Sequence, residues 1–153
     1  MVKSIAIAES CTGGLISHLL TNQPGSSTYF RLGVVAYSNQ TKISLLKVSA
    51  QVLEEAGSVS KEVALSMARG VRRLGKADVG LGITGIAGPS LPQEKVSKQG
   101  RYKVGLVFIA LSSEKGEVCR EFQFKGKREE IKEKAAREAI RLLRECGCLL
   151  PSS

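Results

Sequence analysis

Four places in the chain carry side chains able to do chemistry where a strand hands over to a turn: Ser10 with Cys11, Tyr37 with Lys42 close behind it, Thr84, and Arg128. A serine hydroxyl becomes a nucleophile only when a base takes its proton. The single histidine, His18, is badly placed for this. It falls about two turns into the helix that follows Ser10, where its ring should point away from the turn, and it reads as a surface or core side chain. A lysine serves instead if its amine is neutral, as in serine-lysine pairs. At the ordinary pKa near 10.4, only about one lysine in 2,500 is neutral at pH 7. Lys42 therefore needs a shift, and burial or a neighbouring cation supplies one, by up to ~3 to 5 pH units in a fully buried group. Arg128 is a candidate for that cation, or for holding a substrate phosphate or carbonyl through its planar fork of donors.

Ser10 stands in the stretch Ala8-Glu9-Ser10-Cys11-Thr12-Gly13-Gly14, between the apolar run Ile5-Ala6-Ile7-Ala8 and the helical pattern Leu15, Ile16, Leu19, Leu20. This reads as strand, tight turn, helix. The two glycines let a ligand approach the backbone N–H groups of Thr12, Gly13 and Gly14, where a helix begins. Those groups favour a bound phosphate or a developing oxyanion. The plainer alternative is a glycine-rich connection with a Ser/Thr helix cap. A thiol arrangement also exists, with Cys11 as nucleophile and Glu9 and Lys42 as base and stabiliser. Glu9, Ser10 and Cys11 are adjacent, however, and cannot all face one substrate. Plain readings accompany the other candidates: Lys42 as a solvated lysine, Arg128 as a helix-start residue, Thr84-Gly85 as a strand end and Tyr37 as a core aromatic. Glu9 in turn can pair with a backbone donor and fix the turn.

The elements that must position these residues follow from periodicity. The first helix runs from about Gly14 to Thr21 and stops at Asn22-Gln23-Pro24-Gly25. Phe30 to Ser38 reads as a second, buried strand, so strand, helix and strand form a parallel pair with a right-handed crossover. Short helices are expected near Thr41 to Leu46 and Ala50 to Ala56. Ser60 caps a longer one reaching about Leu74, with Val63, Met67, Val71 and Leu74 on one face. Asp78 to Thr84 is a third strand. Gly85 to Arg101 is a long loop, of a length that is usually functional or mobile. Tyr102 to Leu111 and Val118 to Lys125 form a hairpin around Ser112 to Gly116, and a last helix covers about Arg128 to Cys146. If strands one, two, three and five are parallel and four is antiparallel, Ser10, Tyr37, Lys42, Thr84 and Gly126-Lys127-Arg128 emerge at one sheet edge. That edge is where such sheets bind ligands.

Composition narrows the class. A chain of 153 residues, 42% hydrophobic and 24% charged, reads as a single domain over 1–153, and no apolar run approaches the ~20 residues of a membrane span. The start, Met1-Val2-Lys3-Ser4-Ile5, shows no secretion signal, so the expected home is the cytoplasm. Cys11, Cys119, Cys146 and Cys148 lack zinc-site spacing and are expected to be reduced thiols. One histidine and one aspartate, Asp78, argue for a mechanism without metal. The net charge of +9 is largely interleaved with glutamate. A solvated surface ranks first as its explanation, a phosphorylated small-molecule ligand second and nucleic acid third.

Glu9-Ser10-Cys11-Thr12-Gly13-Gly14, Pro24-Gly25-Ser26-Ser27, Gly33-Val34-Val35-Ala36-Tyr37-Ser38-Asn39 with Lys42, Val59-Ser60 and Ile83-Thr84-Gly85-Ile86-Ala87-Gly88-Pro89 follow one another in order over most of the chain. Together they resemble the CinA C-terminal domain family, in its stand-alone form. The resemblance implies an α/β fold of three layers, α/β/α, around a mixed, mostly parallel five-stranded sheet with one antiparallel strand. It further implies hydrolysis of the carboxamide of nicotinamide mononucleotide (NMN) to nicotinate mononucleotide and ammonia, a step that salvages pyridine nucleotide. Carried over, Ser10 is the nucleophile and Lys42 the general base. Tyr37 orients or tunes them, Thr84 contacts substrate or assists the acyl step, and Arg128 binds substrate near the amide. The backbone of Thr12, Gly13 and Gly14 holds an anion, either oxyanion or ribose phosphate. No cofactor is implied; the partners are a nucleotide substrate and further copies of the chain.

The sequence departs from the family pattern in two places. After Ala87-Gly88-Pro89 the usual glycines and Lys-Pro-Val-Gly are replaced by Ser90-Leu91-Pro92-Gln93 and, later, Tyr102-Lys103-Val104-Gly105, with a basic stretch between. The usual Gly-Asp-Arg appears as Gly126-Lys127-Arg128. Both bear on substrate range more than on fold. A nucleotide-binding module without turnover is therefore the second reading, and a nucleic-acid accessory protein the third.

Overall fold

In the computed structural model, residues 2–89 and 103–149 are described below. Five strands, β1 (Ile5–Glu9), β2 (Phe30–Val35), β3 (Val79–Gly85), β4 (Leu106–Ser113) and β5 (Gly116–Gln123), form one sheet in the order β2-β1-β3-β4-β5. β1 pairs in parallel with both β2 and β3, while β4 runs antiparallel to β3 and β5. Strands one, two, three and five thus share a direction, as expected, and their C-terminal ends open on one edge.

Alternation along the strands separates two apolar layers. Ile5, Ile7, Leu81, Ile83, Val107 and Ile109 pack with α1 (Leu15–Thr21) and α5 (Arg128–Glu145) through Ile16, Leu20, Ile131, Ala135, Ala139, Leu142 and Leu143. On the other face Ala6, Ala8 and Ala36 meet Leu46 of α2 (Asn39–Leu46), Leu53 of α3 (Ala50–Ala56) and Val63, Met67 and Val71 of α4 (Lys61–Gly75). This is the three-layer α/β/α arrangement. The α4 layer sits unusually close because β3 presents glycines to it. A methyl group on Gly80 or Gly82 would collide with the α4 backbone at Ala68 or Ala64. α2 is seated in the same way, since a Cβ on Gly70 of α4 would collide with the Leu46 carbonyl.

Several boundaries move. β2 ends at Val35 rather than Ser38 because Ser38 caps α2, its hydroxyl accepting from Thr41 N, and the helix starts at Asn39. β2 is the sheet edge, its residues alternating between half-buried and exposed, so it is not the buried strand expected. The hairpin is tighter than anticipated, with Ser113 paired to Gly116. Accordingly β4 extends to Ser113 and β5 ends at Gln123 instead of Lys125. Tyr102 and most of the long loop, from Ser90 to Arg101, lie outside the described residues. Among the described residues, no helix is long and apolar enough to cross a membrane.

Candidate active site

The residues after β1 leave the sheet in different directions. Glu9 keeps the parity of Ile5 and Ile7 and faces α1, where it is fully buried. Its carboxylate accepts from Gly14 N at 3.2 Å, Ile16 N at 2.9 Å and Ser17 N at 2.9 Å, and from the hydroxyls of Thr12 at 2.7 Å and Ser17 at 2.8 Å. The unpaired N–H groups and positive dipole end of α1 are therefore occupied by the chain's own carboxylate. The pairing of Glu9 with backbone donors holds, on a larger scale than one bond. Gly13 N donates to Ser10 O at 3.1 Å, so Gly13 and Gly14 present no free N–H to a ligand. Of the three backbone donors expected to hold an anion, Thr12 N–H alone makes no hydrogen bond with the described residues. Gly13 at φ 59° and Gly14 at φ 103° make this sharp return possible.

Ser10 takes the parity of Ala6 and Ala8 and turns to the face carrying α2 and α4. It is 7% exposed, and its hydroxyl has no partner among the described residues. Lys42, from the first turn of α2, is 2% exposed, an unusual burial for a lysine. Its Nζ donates to Tyr37 O at 3.1 Å. Burial holds its pKa below the ordinary 10.5, an effect partly offset by the Cys11 thiol nearby. Ala36 N donates to Glu9 O at 2.8 Å, which sets the Tyr37 carbonyl, and with it the Lys42 amine, near the end of β1 where the turn begins. Arg128 is not the cation that lowers it; burial does so, and the exposed Arg128 guanidinium lies instead over the backbone of Gly88.

Cys11 sits in the α1–α5 core, 8% exposed, and burial pushes its thiol up to about 12. A thiol packed in the core away from the Ser10 face and reluctant to ionise is less suited than Ser10 to act as nucleophile. Thr84, at the end of β3, is buried on the Ser10 side of the sheet and donates to Ser58 O at 2.7 Å, tying the strand end to the loop before α4. Tyr37 is not a core aromatic. It is 65% exposed, and its link to the site is the backbone carbonyl that receives Lys42. His18 is exposed and pairs with Asn22. Among the described residues no three His, Cys, Asp or Glu side chains come together as a metal site would need.

Sequence reasoning missed Lys132. One turn after Arg128 on α5, its Nζ lies 3.6 Å from where a side chain on Gly13 would begin, and its charge is felt by the Cys11 thiol. The signal available was the i, i+4 spacing from Arg128. A cavity of about 880 Å³ lies elsewhere, lined by Leu19, Tyr29, Arg137, Arg141, Arg144 and Leu149. α1 and α5 run back from the Ser10 edge, so this cavity belongs to the opposite edge of the sheet, remote from the serine.

Known proteins agree with this architecture. The family model described as the CinA C-terminal domain matches residues 2–147. A CinA-like protein of Desulfotalea psychrophila is 46% identical over 141 residues, 92% of this chain and 33% of that protein. A CinA-like protein of Geotalea daltonii is 45% identical over 141 residues, with the same coverage. The chain thus spans about a third of the length of these curated relatives. The crystal structure of the competence/damage inducible protein CihA of Agrobacterium tumefaciens superposes with a TM-score of 0.86 at 35% identity, over 95% of this chain and 86% of that one. A competence-damaged protein (CinA) superfamily protein of Escherichia coli gives 0.86 at 30% identity, over 94% and 80%. With the fold, the turn and the ordered motifs all in agreement, the chain belongs to the CinA C-terminal domain family.

Proposed function

We propose that the chain hydrolyses the carboxamide of NMN to nicotinate mononucleotide and ammonia by a serine-lysine mechanism. The observation that carries this reading is a buried lysine of lowered pKa beside a turn whose serine hydroxyl has no partner among the described residues. Family membership supports it. Ser10 Oγ attacks the amide carbon while Lys42 Nζ accepts the hydroxyl proton. The tetrahedral oxyanion is received at Thr12 N–H, a kind of donor worth ~2.7 to 4 kcal/mol. Lys42 then passes the proton to the leaving nitrogen, ammonia departs, and an acyl-Ser10 ester remains. Water deprotonated by Lys42 cleaves the ester and restores both residues. Tyr37 O holds the amine in place, Thr84 shapes the substrate side of the strand end, and Arg128 binds substrate near the amide.

The test is ammonia release from NMN, with chelator present, by wild type, Ser10→Ala, Lys42→Ala and Cys11→Ala proteins. Turnover is expected in wild type and Cys11→Ala and should fall by at least 10³-fold in the other two. A wild type that binds NMN without releasing ammonia would overturn the activity and favour the nucleotide-binding reading, to which the altered loop after Pro89 points.

A further inference from the structure

The Glu9 carboxylate removes the most obvious place for a phosphate in this fold. Gly14, Ile16 and Ser17 already donate their N–H groups to it, so an anion arriving at the α1 N-terminus would meet a negative charge and, apart from Thr12 N–H, no free donor among the described residues of the turn. A phosphorylated ligand beside the Ser10 turn therefore needs positive charge from another element.

Two cations are available. Arg128 and Lys132 stand one turn apart on α5, each above a glycine that leaves it room. The guanidinium lies 2.9 Å from where a side chain on Gly88 would start, and the ammonium lies 3.6 Å from the equivalent point on Gly13. Among the described residues neither forms an ion pair, whereas Arg141, further along the same helix, is bridged to Glu138 and Glu145. Glu130, the nearby carboxylate, turns toward Gly126. Half-buried Lys132 is also close enough to the Ser10–Gly14 turn for the Cys11 thiol to feel its charge.

We infer that Lys132, across Gly13 from the nucleophile's turn, anchors the phosphomonoester of a nucleotide substrate whose carboxamide lies at Ser10. Either cation can bind a phosphate, but they differ in place: the exposed guanidinium lies over Gly88, whereas the half-buried ammonium lies over Gly13, within the turn that carries Ser10. The inference rests on the amidase reading for the identity of the substrate, but not for the presence of the anion site.

The experiment compares wild type, Lys132→Ala and the charge-conserving Lys132→Arg with NMN and with its dephosphorylated counterpart, nicotinamide riboside. Lys132→Ala should raise KM for NMN about 10- to 100-fold with kcat within twofold, leave turnover of the riboside unchanged, and be largely rescued by arginine. An equal loss on both substrates, or no change with NMN, overturns the assignment. A second arm needs no turnover: calorimetric titration with ribose 5-phosphate and with ribose. Phosphate-dependent binding should weaken at least tenfold in Lys132→Ala. Equal affinity in the two proteins, or no binding to wild type, overturns the anchor. A wild type that leaves NMN intact yet loses ribose 5-phosphate on Lys132→Ala would overturn the amidase reading and leave the anchor standing.

Discussion

Lys42 is the residue on which stability and function pull in opposite directions. Its pKa is held below the ordinary 10.5 by burial, so the unfolded chain binds its proton more tightly than the folded chain does. Stability therefore rises with pH between the folded-state value and 10.5, and the lysine is destabilising at neutral pH. Lys42→Met should raise the melting temperature at pH 7 by about 2 to 6 °C and abolish turnover. The gain should shrink as pH approaches 10.5; a gain independent of pH would show that packing rather than charge is responsible. In the wild type, kcat/KM should rise with pH through an inflection below 10.5, which Cys11, at about 12, cannot supply. Glu9 is the structural counterpart. Glu9→Gln substitutes an amide donor for one of two oxygens that accept five hydrogen bonds, and should cost about 2 to 4 kcal/mol in denaturant unfolding. Residue type and spacing pointed to Ser10, Lys42 and Thr84. They could not assign Glu9 its five donors, because those are divided between the turn, at Thr12 and Gly14, and the start of α1, at Ile16 and Ser17, and converge only once the turn is folded. Nor could they show that Tyr37 serves Lys42 through its carbonyl, since any residue has one.

Among the elements, α2 carries Lys42, the base of the proposed mechanism, and its seat on α4 is set by Gly70. Gly70→Ala should push the Leu46 end of α2 outward, cost about 1 to 3 kcal/mol and lower kcat more than it raises KM, because Lys42 moves with the helix. Unfolding curves and steady-state kinetics on one preparation check both; intact kcat in a destabilised protein would separate seat from site. Strand and helix periods made the elements legible, and the strand directions followed from the loop lengths between them. Boundaries moved where a side chain's choice of partner was invisible in one dimension. Ser38 prefers capping to extending β2, and a two-residue turn shifts the hairpin. The edge position of β2 is a fact of strand order, which its own composition does not carry. Lys132 escaped notice for the same reason: its neighbour Gly13 is fixed by the packing of α5 against α1, not by any local pattern.

For the whole molecule, a net charge of +9, with Arg128 and Lys132 forming no ion pair among the described residues, gives an anionic ligand a favourable field on approach. Raising ionic strength from about 0.01 to 0.15 M shortens the Debye length from ~30 to ~8 Å and should lower kcat/KM for NMN several-fold. Nicotinamide riboside, which lacks the phosphate, should respond weakly. A salt response equal for both would assign it to the protein rather than to steering.

The divergence of Glu9, Ser10 and Cys11 to three separate surroundings has a consequence for how the chain tolerates change in length. Side chains here are dealt out by parity, so deleting or inserting one residue between Ala8 and Thr12 would deal each to its neighbour's place. A carboxylate would face α2, or a thiol would stand where the hydroxyl belongs, and α1 would lose its counter-charge at the same time. The segment is thus a reading frame in three dimensions, forgiving of some substitutions and closed to every change of length.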